Sequence, residues 1–94
     1  MKVFIKSIRQ PFMVGGSMTV YINGIETAWL GNGDQEIIEV EQGENHILIK
    51  SGIRQKSITF LSSQDVTITV KWNRISGSIE TLINGSDVKV LDNR

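Results

Sequence analysis

The stretch VTITVKW, residues 66–72, decides how the rest of the chain is read. Strict alternation puts Val66, Ile68, Val70 and Trp72 on one side of an extended segment and Thr67, Thr69 and Lys71 on the other, because successive side chains of a strand point to opposite faces. The β-branched residues suit a pleated surface, and the threonines suit a face that meets solvent or a neighbouring strand pair. Residues 18–22, MTVYI, repeat the pattern, with Met18, Val20 and Ile22 opposite Thr19 and Tyr21. No longer window carries the three-and-four apolar spacing of an amphipathic helix, so helix is a minor component at most.

Turn chemistry separates the alternating runs: Gly15-Gly16, Asn23-Gly24, Gly31 to Asp34, Gln42 to Asn45, Ser51-Gly52, Ser62 to Asp65 and Asn84-Gly85. That spacing predicts roughly seven to nine short strands, paired antiparallel because no helical crossover is present to join parallel neighbours. The expected class is all-β, an immunoglobulin-like antiparallel β-sandwich formed by residues 1–94 as one domain, with a small β-barrel as the alternative. INGIETAWLGN (residues 22–32) is faintly echoed by INGSDVKVLDN (residues 83–93). Asparagine and glycine both tolerate positive φ, which a two-residue type I′ hairpin requires, so each copy is expected to turn the chain. Beyond the turn the copies share only Glu26 with Asp87, Leu30 with Leu91 and Asn32 with Asn93, too little for a repeat.

The chain has 94 residues, enough to bury roughly two thirds of its unfolded surface without disulfides or a metal. Cysteine is absent, which excludes thiolate metal sites, redox pairs and cysteine nucleophiles together and leaves the compartment open. Ten basic residues cancel ten acidic ones, so bulk charge draws the molecule to neither nucleic acid nor an anionic membrane, and only a local patch would do so. At the N-terminus Lys6 and Arg9 break every apolar run before signal-peptide or span length. The expectation is therefore a cytoplasmic chain as written, without membrane insertion, or an envelope-associated one if a longer precursor exists.

From Met18 onward MTVYING is followed by NGDQEIIEVEQGENHILIK, then KSITF and VTITVKW. A strand ending in Ile-Asn-Gly, a short returning strand, and Gly43 before the strand HILIK resemble the small bacterial β-sandwich domains called PEGA and PEGA-like. The resemblance covers residues 18–72, with Val40-Glu41-Gln42-Gly43 standing where the Pro-Glu-Gly-Ala signature belongs. It implies an accessory domain of bacterial surface or envelope proteins that mediates contacts. No functional residue carries over, since the shared positions are turn and core positions.

Chemistry-bearing residues are sparse. His46 is the only histidine, so a metal site would have to recruit Glu41 and Glu44, and a strand-initiating role is the simpler reading. Ser62, Ser63, Asp65 and His46 hold the side chains of a hydrolase triad without a nucleophile elbow. The GNGD of residues 31–34 lacks the lysine and helix of a phosphate loop. No catalytic residue, cofactor or metal is expected.

Charge is uneven along the chain. Glu26, Asp34, Glu36, Glu39, Glu41 and Glu44 form an acidic middle, followed by Lys50, Arg54, Lys56, Lys71 and Arg74. Antiparallel pairing would set Glu39 or Glu41 across from Lys50 and its neighbours. The sharper reading is a basic strip of Arg54, Lys56, Lys71 and Arg74, which lacks the interleaved aromatics of a nucleic-acid surface.

Trp72 continues the core face of its strand. IETAWL, residues 25–30, permits two registers: Ile25, Thr27 and Trp29 inward, or Glu26, Ala28 and Leu30 inward with Trp29 outside beside Tyr21. An exposed Trp29 and Tyr21 would anchor a protein partner, or stack on a sugar ring with Asn23, Asn32 and Asp34 supplying polar contacts. The leading expectation is a non-enzymatic accessory or protein-interaction module, binding a partner or itself through a sheet face or edge strand. A carbohydrate-binding module is the alternative.

Overall fold

The computed structural model describes residues 1–10, 17–73 and 75–94; the Gly15-Gly16 turn and Arg74 lie outside the described residues. Nine strands form among the described residues: β1 (Lys2–Ser7), β2 (Met18–Ile22), β3 (Ile25–Leu30), β4 (Gln35–Glu39), β5 (Gly43–Ser51), β6 (Arg54–Ser62), β7 (Val66–Trp72), β8 (Ile79–Gly85) and β9 (Lys89–Asn93). They build two facing sheets, a four-stranded one in the order β4-β1-β7-β8 and a five-stranded one in the order β3-β2-β5-β6-β9. The two-layer architecture is the sandwich that alternation and turn spacing predict, with a strand order different from the arrangement of immunoglobulin domains.

Alternation is obeyed where it was clearest. Val66, Ile68 and Val70 are fully buried, as are Val20 and, almost completely, Met18 and Ile22. These pack with Val3, Ile5, Leu30, Ile47, Ile49, Ile58 and Phe60 in one cluster between the sheets, and Trp72 lies half-buried against it. Each such aliphatic side chain contributes about 1.5–3 kcal/mol on leaving water, so the inward rows of β1, β2, β5, β6 and β7 hold the layers together.

One pair departs from the expected pattern. β1 and β7 run parallel, with Val3 beside Val66 and Ser7 beside Val70. Parallel neighbours need a crossover, but the crossover need not be a helix: here the chain between them runs through the other sheet and back.

The first Ile-Asn-Gly behaves as its residues dictate. Asn23 and Gly24 have φ of 51° and 84°, and Ile22 pairs with Ile25 across them, a two-residue hairpin of the I′ kind. The second copy corrects the expectation of a turn. Asn84 and Gly85 continue β8, pairing with Thr67 and Val66, and the chain then crosses to the other sheet as β9. Space explains glycine there: a Cβ on Gly85 would lie 3.0 Å from Val66 Cγ1 and 3.3 Å from the Asp65 carbonyl oxygen.

Charge pairing is also corrected. The acidic segment enters the four-stranded sheet as β4, so Glu39 faces Lys2 of β1, while Lys50 lies between Thr19 of β2 and Gln55 of β6. Antiparallel pairing does not bring Glu39 or Glu41 to Lys50, because consecutive strands here repeatedly change sheets.

Candidate functional site

The outer face of the five-stranded sheet carries Tyr21 and Trp29. Its geometry begins with a bulge: Val20 pairs with Ala28 but Tyr21 pairs with Glu26, leaving Thr27 as the extra residue of β3. The Thr27 hydroxyl donates to the Ile25 carbonyl at 2.8 Å. Beyond the bulge Leu30 turns fully inward and Trp29 outward, 64 % exposed. Past the bulge the register is the one with Ala28 and Leu30 inward and Trp29 outside; before it Glu26 is exposed opposite Tyr21, so that register does not extend to Glu26. Its direct neighbour is Thr19, with Tyr21 one pair further along.

Strand pairing continues the row across the sheet. Tyr21 faces Leu48 and Thr19 faces Lys50 on β5; Leu48 in turn faces Ser57, and His46 faces Thr59. The Lys50 ammonium lies 5.9 Å from the centroid of the Tyr21 ring, within cation–π range. His46 Nδ1 is bonded to the Thr59 hydroxyl at 2.8 Å, which fixes its ring on the sheet. The result is a solvent-facing patch with one large exposed aromatic ring, a half-exposed one, an aliphatic side chain and a flanking cation.

Asn32 and Asp34 sit in the β3–β4 connection, and their polar atoms serve the fold. The Asn32 amide donates to the Gln10 carbonyl at 3.0 Å and its oxygen accepts the Gln10 N–H at 2.8 Å. Asp34 Oδ2 accepts the Gly31 N–H at 2.8 Å. Asn23 is engaged likewise, donating to Asn45 Oδ1 at 3.0 Å and accepting the His46 N–H at 2.8 Å. Asn45, buried, completes the link by donating to the Glu41 carbonyl at 2.9 Å.

The serines of residues 62–63 find a partner other than the one their sequence neighbourhood offers. Asp65 accepts the Lys2 N–H at 2.7 Å, and the carboxylate on the serines is Asp87. It lies 2.7 Å from Ser62 Oγ and accepts the Ser63 hydroxyl and, at 3.3 Å, the Ser63 N–H. The Ser63 hydroxyl, and after it that of Ser62, hold the exposed Asp87 carboxyl below its ordinary value. No periodicity points to Asp87, because the contact spans two sheet changes. The cluster ties the β8–β9 connection to the end of β6.

The predicted basic strip is divided between sheets and partly reunited. Lys56 of β6 and Lys71 of β7 line one groove of about 700 Å³ along edge strand β8, together with Arg94 and Leu82. Lys71 is 3.8 Å from Glu80. Arg54 projects instead beside Gly77, where a Cβ would lie 3.3 Å from its Nη2.

Comparison with protein families, with curated proteins and with solved structures finds no match for this chain. The geometry of its own surface therefore carries the functional argument.

Proposed function

We propose that this chain is a non-catalytic protein-interaction module that engages its partner through the outer face of the five-stranded sheet, centred on Trp29, Tyr21, Leu48 and Lys50. The observation that carries the reading is Trp29, which stands 64 % exposed on a regular strand. A tryptophan left in water forgoes burial of a large apolar surface, and such rings, clustered with tyrosine and ringed by polar groups, are the usual anchors of protein interfaces. The bulge at Thr27 supports the same reading, since bulges re-aim side chains at functional edges. The accessory role agrees with the PEGA-like pattern of residues 18–72.

A sugar site on the same rings would need free donors and acceptors beside them. Asn23 and Asn32 are both occupied in two-way bonds and Asp34 closes its own turn, which favours a protein partner over a carbohydrate.

The test is a pull-down with the tagged chain from lysate of the source organism, beside Trp29→Ala and Tyr21→Ala variants, followed by titration of any retained protein in purified form. A partner that binds the wild type and loses at least about tenfold in affinity with Trp29→Ala, as an interface anchor should, supports the proposal. Soluble glycans that shift tryptophan emission while no protein is retained would replace it with the sugar reading.

A further inference from the structure

Net neutrality conceals two charged ends. The strand registers place the β5–β6 and β7–β8 connections at one end of the sandwich and the β2–β3 and β6–β7 connections at the other. The first end carries Lys50, Arg54, Lys56 and Lys71, opposed by Glu80, which pairs with Lys71, and by Asp34 and Glu36 at the start of β4. The second carries Glu26, Glu39, Glu41, Glu44, Asp65 and Asp87, opposed by Lys2 and Lys89.

The basic end has apolar tips. Ile53 turns the β5–β6 hairpin at 94 % exposure and Ile75 lies in the β7–β8 connection at 93 %. The two connections lie side by side, as the approach of the Arg54 guanidinium to Gly77 requires. The acidic end has a matching recess. A groove of about 350 Å³ opens between β3 and β4, floored by Ile22, Ile25, Ile38 and Val40 and rimmed by Glu39, Glu41 and Glu44. Ile25 stands 70 % exposed in it. Glu39 already lies 3.7 Å from the Met1 ammonium, whereas Glu41 and Glu44 have no ion-pair partner among the described residues.

We propose that copies of this chain associate head to tail, the Ile53–Arg54 hairpin tip of one entering the groove between β3 and β4 of the next. The aliphatic tip meets an apolar floor while Arg54 meets Glu41 and Glu44. Tip and groove are different surfaces at opposite ends of the molecule, so the contact is heterologous, which propagates into a chain or closes into a ring. A nucleic acid would satisfy the cations but offers no apolar recess for isoleucines. An anionic lipid surface would accept both, yet it would leave the acidic groove without a role. The surfaces differ from the aromatic face of the preceding proposal, so either stands without the other.

The test uses two double variants, both at exposed positions. Ile53→Ser with Arg54→Ser blocks the tip; Glu41→Lys with Glu44→Lys blocks the groove. Unchanged melting temperatures establish that each is folded. By sedimentation at low salt, the wild type should gain mass with concentration and return towards monomer at high salt, where screening is strong. Each variant alone should associate at least about tenfold more weakly, the scale of losing one good anchor. Mixed in equal amounts, they should form a dimer that grows no further, because only one competent tip and one competent groove remain. Tyr21→Ala should associate as the wild type does, which separates this contact from the aromatic face. The proposal is overturned if the wild type stays monomeric at low salt, if either double variant associates like the wild type, or if the mixture stays monomeric. Binding of anionic vesicles by a monomer through Ile53 would overturn it in favour of a lipid surface.

Discussion

Asn23→Gly separates two reasons for the asparagine in the first Ile-Asn-Gly. If its role is only to adopt a φ of 51°, glycine should replace it without loss. Relief of left-handed strain, about 1 kcal/mol, then roughly cancels the added freedom of the unfolded chain, up to about 1 kcal/mol. The structure adds a second role, in which the side chain donates to Asn45 at 3.0 Å and accepts from the His46 N–H at 2.8 Å. At about 1 kcal/mol for each bond, the substitution should destabilise the protein by about 2 kcal/mol. Asn45→Ala should cost a similar amount through the same Asn23 bond and the one to Glu41. The double variant should then fall short of additivity by about 1 kcal/mol, the shared bond counted twice. Urea unfolding with unchanged slopes measures all three values. An Asn23→Gly protein within about 0.5 kcal/mol of the wild type, or strictly additive effects, would refute the network and leave the turn alone as the reason.

Gly24→Ala and Gly85→Ala should both destabilise, for different reasons that a second substitution distinguishes. At Gly24, with open space around it and a φ of 84°, the cost is backbone strain of about 1–2 kcal/mol that no neighbour relieves. At Gly85 the cost is crowding against Val66, so Val66→Ala should reduce the added penalty in thermal or urea unfolding. Phe60→Ala, at a fully buried position between the sheets, should cost about 3–5 kcal/mol in urea unfolding. Because its serine bonds lower the Asp87 carboxyl, they favour the folded state above the unfolded-state pKa of about 3.9 and fade as the pH falls through the lower folded value. Thermal melting of Asp87→Asn should therefore lie below that of the wild type at neutral pH, with the difference narrowing in acid.

How far the fold could be read follows from the range of each cause. Alternation in VTITVKW and MTVYI, and positive φ at Asn23-Gly24, act within a few residues, so the residues alone specify strand, inward face and hairpin. The amount of β structure and its two-layer packing follow from the same local rules, since faces apolar on one side must cover one another. Which sheet a strand joins is not a local matter. It put Asn84-Gly85 inside β8, set β1 parallel to β7, and sent Glu39 to Lys2 rather than Lys50.

The candidate site divides in the same way. Tyr21 and Trp29 stand out in the sequence as residues able to anchor a partner, but IETAWL leaves their exposure open. One bulge residue, Thr27, decides it, because a single added residue exchanges the faces of a strand. Asn32 and Asp34 invite a ligand in the sequence but are taken up in the fold, Asn32 by the Gln10 backbone and Asp34 by its own turn. The net charge of zero belongs to the composition alone, whereas the basic and acidic ends exist only once the strands are laid side by side. Local sterics and periodicity are written in the chain residue by residue, while the placement of charge and of exposed rings depends on partners far apart in sequence that only tertiary pairing brings together.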